Sequence, residues 1–311
     1  MDKINIVLSS DNNYAQHVAV VIASVMNNTK KNKQIRFFLL ADNIDIGKKA
    51  LLKQTSDSFN AELNIIDLRE NSCFDNLYTS GHISKAAYFR IILADLMPAD
   101  VHKVIYVDVD LIVLDDIEFL WNINLQGKPL GAVADYGILS SARLIRQKNK
   151  AIGLSLDGNY FNSGVLIIDV DLWRQYNYSS KVIKLASSVH LPHHDQDALN
   201  KVFMNNWTKV PLRWNVIPPV YNLFLKILLN KKFRKNAVSA KKNMAIMHYA
   251  GRYKPWEFSV YKGFNDKYYK FLQLTAFKNE KMPQPNQNMK GKSIFRQLLR
   301  LKMADFWCKV F

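Results

Sequence analysis

The run 104–114 reads VIYVDVDLIVL and is apolar except at Asp108 and Asp110. Such a run fits a buried strand. On a strand, side chains at i and i+2 share a face, so both carboxylates would point the same way. Left unpaired in apolar surroundings, each would cost on the order of several kcal/mol. A divalent cation held between them removes that cost. An ordinary strand-end turn, where Asp is common, is the alternative.

The rest of the first half alternates between two patterns. Residues 4–8, 35–40, 63–66 and 104–107 are short apolar runs. Residues 15–28, 46–59 and 84–96 carry apolar side chains at helical spacing, and Pro98 stops the last of them. This rhythm predicts an α/β fold: a Rossmann-like, mostly parallel central sheet with flanking helices. Further strands are expected at 130–134, 164–168 and 245–247, and a helix at 197–203 after the polar run His193-His194-Asp195-Gln196. Ligands in such folds sit at the carboxyl ends of strands. Asp11, Asn13 and the Asp108/Asp110 pair all fall at such ends.

With 311 residues and 49% hydrophobic composition, the chain can bury a sizeable core, which argues against global disorder. Cys73 and Cys308 form neither a disulfide framework nor a metal quartet, which fits a reducing compartment. The start, MDKINIVLSSDNNY, reads as a first strand rather than a signal peptide, and no apolar run is long enough for a transmembrane helix. Charge is uneven. Residues 1–225 hold 23 Lys/Arg and 22 Asp/Glu, whereas 226–311 hold 20 and 4. A nearly neutral body with a strongly basic end implies a polyanionic partner: nucleic acid, a phosphorylated glycan or an anionic membrane. The segment 283–291, PQPNQNMKG, is linker-like. Residues 292–311 then mix Lys and Arg with leucines and aromatics. We therefore divide the chain into a main domain, 1–282, and a basic, helical, amphipathic extension, 283–311, suited to a membrane surface.

Several chemistries lack their motifs. There is no G-x-G-x-x-G after the first strand, no phosphate-binding G-x-x-x-x-G-K-[ST] and no G-x-S-x-G. No compact helix-turn-helix, OB or RRM signature accompanies the basic end, so nucleic acid is not expected as the partner. Paired carboxylates, a polar first loop and a basic end would instead suit a diphosphate bridged to protein through a metal.

Six segments carry a resemblance: VLSSDNNYAQHVAVVIASV, AAYFRIILADLMP, VIYVDVDLIV, YFNSGVLIIDVDLW, HDQDALN and HYAGRYKPW. In this order they resemble family 8 of the retaining nucleotide-sugar glycosyltransferases, over most of residues 3–260. That group contains bacterial lipopolysaccharide galactosyl- and glucosyltransferases. The resemblance implies a GT-A type fold and a UDP-hexose donor. It implies manganese, or else magnesium, on Asp108, Asp110 and His248. Asp11, Asn13 and Tyr14 would face the uracil and ribose, and Arg90 the donor, with a structural ion pair as its competing role. Val109 lies within the metal motif. Gly251 would let the backbone approach the phosphates, and Lys254 would place a charge on them. Asp135, Asn162, Asp195 and Gln196 would surround the transferred sugar and the acceptor hydroxyl. The product would be α-linked. The basic stretch 136–160, with Arg143, Arg146, Lys148 and Lys150, falls where relatives place acceptor-covering loops. A lipooligosaccharide-type acceptor at the cytoplasmic face of the membrane is expected, with a protein or wall-polymer acceptor as the alternative.

Overall fold

The computed structural model describes residues 3–30, 34–70, 85–154, 159–188, 191–221, 231–251, 254–257 and 265–280, with 295, 299 and 302 beyond them. The expected extension, 283–311, otherwise lies outside the described residues.

Nine strands follow in chain order: β1 (Ile4–Asp11), β2 (Ile35–Asp42), β3 (Glu62–Asp67), β4 (Lys103–Val107), β5 (Leu111–Val113), β6 (Leu130–Ala134), β7 (Phe161–Asp169), β8 (Thr208–Val210) and β9 (Ile246–His248). Seven form one sheet in the order β3-β2-β1-β4-β7-β6-β8, and β5 pairs with β9 in a second. Every pairing in the large sheet is parallel except those of β7, which runs antiparallel to both β4 and β6. The sheet is thus mixed and largely parallel, a GT-A-like arrangement.

Strand periodicity splits the interior into two cores. Ile6 and Leu8 of β1, Phe37 and Leu39 of β2, Ile105 and Val107 of β4, and Val165 and Ile167 of β7 face one side. Val7, Phe38, Leu40, Tyr106, Leu166 and Ile168 face the other. This alternation of two apolar faces is what burial by helices on both sides requires. Helix Ala15–Asn28 covers the first face, and helix Phe89–Leu96 the second. Ser24 Oγ accepts from the Val113 N–H at 3.0 Å, and Asn28 Nδ2 donates to the Val113 carbonyl at 2.9 Å. The first helix therefore fixes β5. Among the described residues, no helix is long and apolar enough to cross a membrane.

Three expectations are corrected. The Asp108-Val109-Asp110 motif is not inside a strand, because β4 ends at Val107 and the motif bends before β5 begins. The strand-end turn is the form it takes. The bend carries the chain from the large sheet to β5, whose antiparallel partner β9 brings His248 opposite Leu111. The helix expected at 197–203 is His194–Val202, so part of the polar run forms its first turn. The segment read as a helix over 84–96 is a 3-10 turn, Lys85–Tyr88, leading into Phe89–Leu96, and residue 84 lies outside the described residues.

Candidate active site

Asp108, Asp110 and His248 each offer one ligand atom, and these atoms lie within 4.8 Å of one another. His248 Nε2 stands 3.0 Å from Asp110 Oδ1 and 3.9 Å from Asp108 Oδ2. The Lys254 ammonium is paired with the other Asp110 oxygen and donates to the Tyr249 carbonyl at 2.9 Å. Burial alone would push the Asp110 carboxyl up, but Lys254 and His248 outweigh it and hold it well below the usual carboxylate range. Asp110 is therefore an anion ready to bind a cation.

A hydrogen-bond chain assigns the His248 tautomer. The Gly164 N–H can only donate, and it donates to Asn162 Oδ1 at 3.0 Å. That fixes the Asn162 amide, so Asn215 Nδ2 must be the donor to the same oxygen at 2.8 Å. Asn215 Oδ1 then faces His248 Nδ1 at 2.8 Å and accepts its proton. With Nδ1 engaged this way, Nε2 is the nitrogen left to face Asp110 Oδ1, and it is the atom that would serve as ligand if a metal stood between the carboxylates, as metal-binding histidines are oriented by an outer partner. Gly164 also makes room. A Cβ there would sit 2.4 Å from His248 Cε1 and 2.7 Å from Asp108 Oδ2. Two carboxylates and an oriented imidazole nitrogen are a donor set that suits a divalent transition metal.

Arg90 lies behind this group. Its guanidinium pairs with Asp108 Oδ1 at 2.9 Å and Asp195 Oδ2 at 3.2 Å, and it donates to the Ser163 carbonyl at 2.8 Å. It is 6% exposed and lies 4.8 Å over the Tyr106 ring, so in this structure it forms the ion pair. Tyr106 donates to Asp108 Oδ1 at 2.9 Å. Burial pushes the Asp195 carboxyl up despite Arg90.

At the other end of the cleft, Gln196 meets Asp135 and Asn162. Gln196 Nε2 donates to Asp135 Oδ2 at 3.1 Å, and Gln196 Oε1 accepts from Asn162 Nδ2 at 3.2 Å and from the Ser163 N–H at 3.1 Å. Asp135 Oδ1 accepts from the Ile138 N–H at 3.1 Å, which leaves Oδ2 for the two amides.

The first loop is built differently. Asp11 Oδ1 caps the turn Asn12–Tyr14 by accepting from the Asn13 and Tyr14 N–H groups at 2.9 and 3.2 Å. Asn13 is exposed. Tyr14 packs edge-on against Trp256, which is stacked on His17 at 3.6 Å. His17 Nδ1 meets the Tyr268 hydroxyl at 2.6 Å. Gly251 has φ +86°, a left-handed conformation that a side chain would strain. Val109 turns away from the ligand group into the first core.

Sequence reasoning missed several supporting groups. Asn215, Tyr106 and His17 carry no local signal of partnership. Gly164 and Tyr160 stood within YFNSG, and Asp197 within HDQD, so a closer reading of those motifs pointed to them. Lys148, read as one cation of the stretch expected to cover the acceptor, is 1% exposed and paired with Asp197.

The chain matches the model for glycosyl transferase family 8 over residues 5–259. It is 30% identical over 288 residues to general stress protein A of Bacillus subtilis, covering 91% of this chain and 98% of that protein. It is 25% identical over 256 residues to a lipopolysaccharide 1,2-glucosyltransferase of Escherichia coli, covering 81% and 73%. Among solved structures, the galactosyltransferase LgtC, in complex with donor and acceptor sugar analogues, superposes with a TM-score of 0.74 at 26% identity, covering 90% of this chain and 98% of that one.

Proposed function

The chain belongs to glycosyl transferase family 8, and from that premise we propose that it moves galactose or glucose from a UDP-sugar to a hydroxyl of a lipopolysaccharide-type acceptor, with retention of configuration. The observation that carries this reading is the convergence of Asp108, Asp110 and His248 on one point, at the carboxyl end of β4. Manganese suits that set, because it accepts carboxylate and imidazole together. When bound, it would neutralise the donor diphosphate and stabilise the charge that develops on it.

The residues of the chain supply the rest. Lys254 would move its charge from Asp110 to the diphosphate once a metal satisfies that carboxylate. Gly251 lets the backbone come close without a side chain in the way. Asp11, Asn13 and Tyr14 stand at the end of β1, where a nucleoside would lie. Asp135, Asn162, Asp195 and Gln196 would hold the hexose and orient the acceptor hydroxyl. In the reaction, the bond from the anomeric carbon to the diphosphate oxygen breaks. A bond from the acceptor oxygen to that carbon forms on the same face, and the departing diphosphate takes the acceptor proton. Gln196 would stabilise the oxocarbenium-like state with its amide.

The test is a panel of UDP-sugars offered to the purified protein with and without manganese. Metal-dependent release of UDP from UDP-galactose or UDP-glucose supports the reading, and its absence with every hexose donor overturns it. Proton NMR of the first product gives the anomeric coupling, and a β linkage would refute retention. Docking on an anionic membrane through 283–311 or through the basic helix Lys231–Lys242 belongs to the same proposal. Sedimentation with anionic liposomes, for the full chain and a chain ending at Met282, separates the two segments.

A further inference from the structure

Lys148 and Asp197 are the most deeply buried ion pair among the described residues. Their side chains are 2% and 0% exposed, and the reaction described above uses neither. Each proton of the Lys148 ammonium has an acceptor: Asp197 Oδ1 at 2.5 Å, Asp197 Oδ2 at 2.6 Å and His193 Nδ1 at 2.6 Å. Asp197 also accepts from the His193 N–H at 2.8 Å and from the Tyr160 hydroxyl at 2.6 Å. A carboxylate so placed only accepts. The single proton of Tyr160 is therefore committed to Asp197, and the phenol oxygen is left as an acceptor. It faces Gln196 Nε2 at 3.2 Å.

This sets a direction along the chain of bonds. Lys148 donates to both oxygens of Asp197, Asp197 accepts the Tyr160 proton, and Tyr160 then requires an N–H from Gln196. Turning the Gln196 amide over would set its oxygen against a phenol oxygen with no proton to give and against the Asp135 carboxylate. It would also set its NH₂ against the Ser163 N–H, which now donates to Oε1 at 3.1 Å. We propose that Lys148 and Tyr160 are positioning residues that act through Asp197 to hold the Gln196 amide in one orientation at the sugar end of the cleft. Lys148 comes from helix Ala142–Ile152, in the stretch expected to cover the acceptor, and Asp197 from the same helix as Gln196. The device thus links the acceptor side of the cleft to the glutamine. The importance of Gln196 for turnover rests on the function proposed above, but its orientation does not.

Tyr160→Phe removes one oxygen and nothing else. Selective ¹⁵N-glutamine labelling, with Gln196→Glu to assign the peak pair, reads the side-chain amide directly and without substrate. The Gln196 amide peaks should shift and broaden in Tyr160→Phe. In the transfer assay, kcat should fall about 3–10-fold, the consequence of one neutral hydrogen bond, while the KM for the UDP-sugar stays within about twofold. The charge-neutral double variant Lys148→Met/Asp197→Asn lets position 197 donate to Tyr160 and reverses the direction of the chain. Its loss in kcat should equal or exceed that of Tyr160→Phe. Unchanged amide peaks and kcat in both variants would overturn the proposal. So would a fall in melting temperature and donor affinity with kcat preserved, the mark of a scaffold role alone. If the wild-type protein turns over no UDP-hexose, the proposed function fails, while the amide peaks still decide this inference.

Discussion

The two ends of the cleft each hold a lysine against an aspartate, but they are sealed to different degrees. At the end that holds Asp108 and His248, the Lys254 and Asp110 side chains are 12% and 15% exposed, and Asp108 is 21% exposed. At the end that holds Gln196, Lys148 and Asp197 are almost wholly enclosed. A pair within reach of solvent can change partners when an ion arrives. A sealed pair cannot separate without opening the packing around it. The comparison teaches that similar chemistry serves two purposes here: at one end charge is held ready for exchange, and at the other it is fixed.

Replacing the sealed lysine should have the largest effect. Lys148→Met leaves Asp197 buried and uncompensated, and chemical denaturation should show a loss of about 3–5 kcal/mol. A loss under about 1 kcal/mol would erase the contrast between the two ends. Asp110→Asn should leave stability within about 1 kcal/mol yet lower metal-dependent turnover about 10²–10³-fold, or about 3–4 kcal/mol of transition-state stabilisation. Full activity in a chelated sample would remove the metal from the argument.

His17 tests the ground behind Lys254. Burial first, and then Lys254, push this imidazole down from 6.5 to about 3. Its neutral form is the one the fold accommodates. The unfolded chain therefore binds the proton first, and stability falls as pH drops from 6.5 towards 3. Urea titrations should show this group removing about 2 kcal/mol between pH 6.5 and 5. In His17→Phe that part of the profile should flatten, and an unchanged slope would show that the imidazole is not held neutral. The smallest effect is expected at Lys254→Met: a rise in donor KM of about tenfold, with melting unchanged. A large drop in melting temperature would make Lys254 a structural partner like Lys148.

Much of the fold was legible because two-sided burial leaves a plain mark. Helix Ala15–Asn28 runs as its spacing predicts, and β1, β2 and β4 begin within a residue of their apolar runs. Legibility fails where function interrupts the pattern. β7 begins at Phe161, ahead of the expected residue 164, because Asn162 and Ser163 are polar strand residues turned to the site. The reversed direction of β7 has no signature in an apolar run. In the site, Asp108, Asp110 and His248 lie together; of the four residues expected around the sugar, Asp135, Asn162 and Gln196 are hydrogen-bonded to one another while Asp195 pairs with Arg90. Lys148 could not be placed by composition, since its burial depends on partners 45 and 49 residues away. Asn215 is equally silent, as its role comes from the fold that sets it beside His248.

Helix Ala15–Asn28 has a mechanical consequence. It starts directly after the turn that would cradle a nucleoside and ends in the hydrogen bonds of Ser24 and Asn28 to Val113, just past the aspartates. Its 14 residues make a strut about 21 Å long. The two places it joins must travel as one piece, so ligand entry cannot be accommodated by parting them. The chain after His248, which carries Gly251 and Lys254, is joined to the same strut through Trp256 stacked on its own His17. The Val113 amide, held by Ser24 Oγ, should accordingly exchange its hydrogen slowly whether or not a nucleotide-sugar is offered.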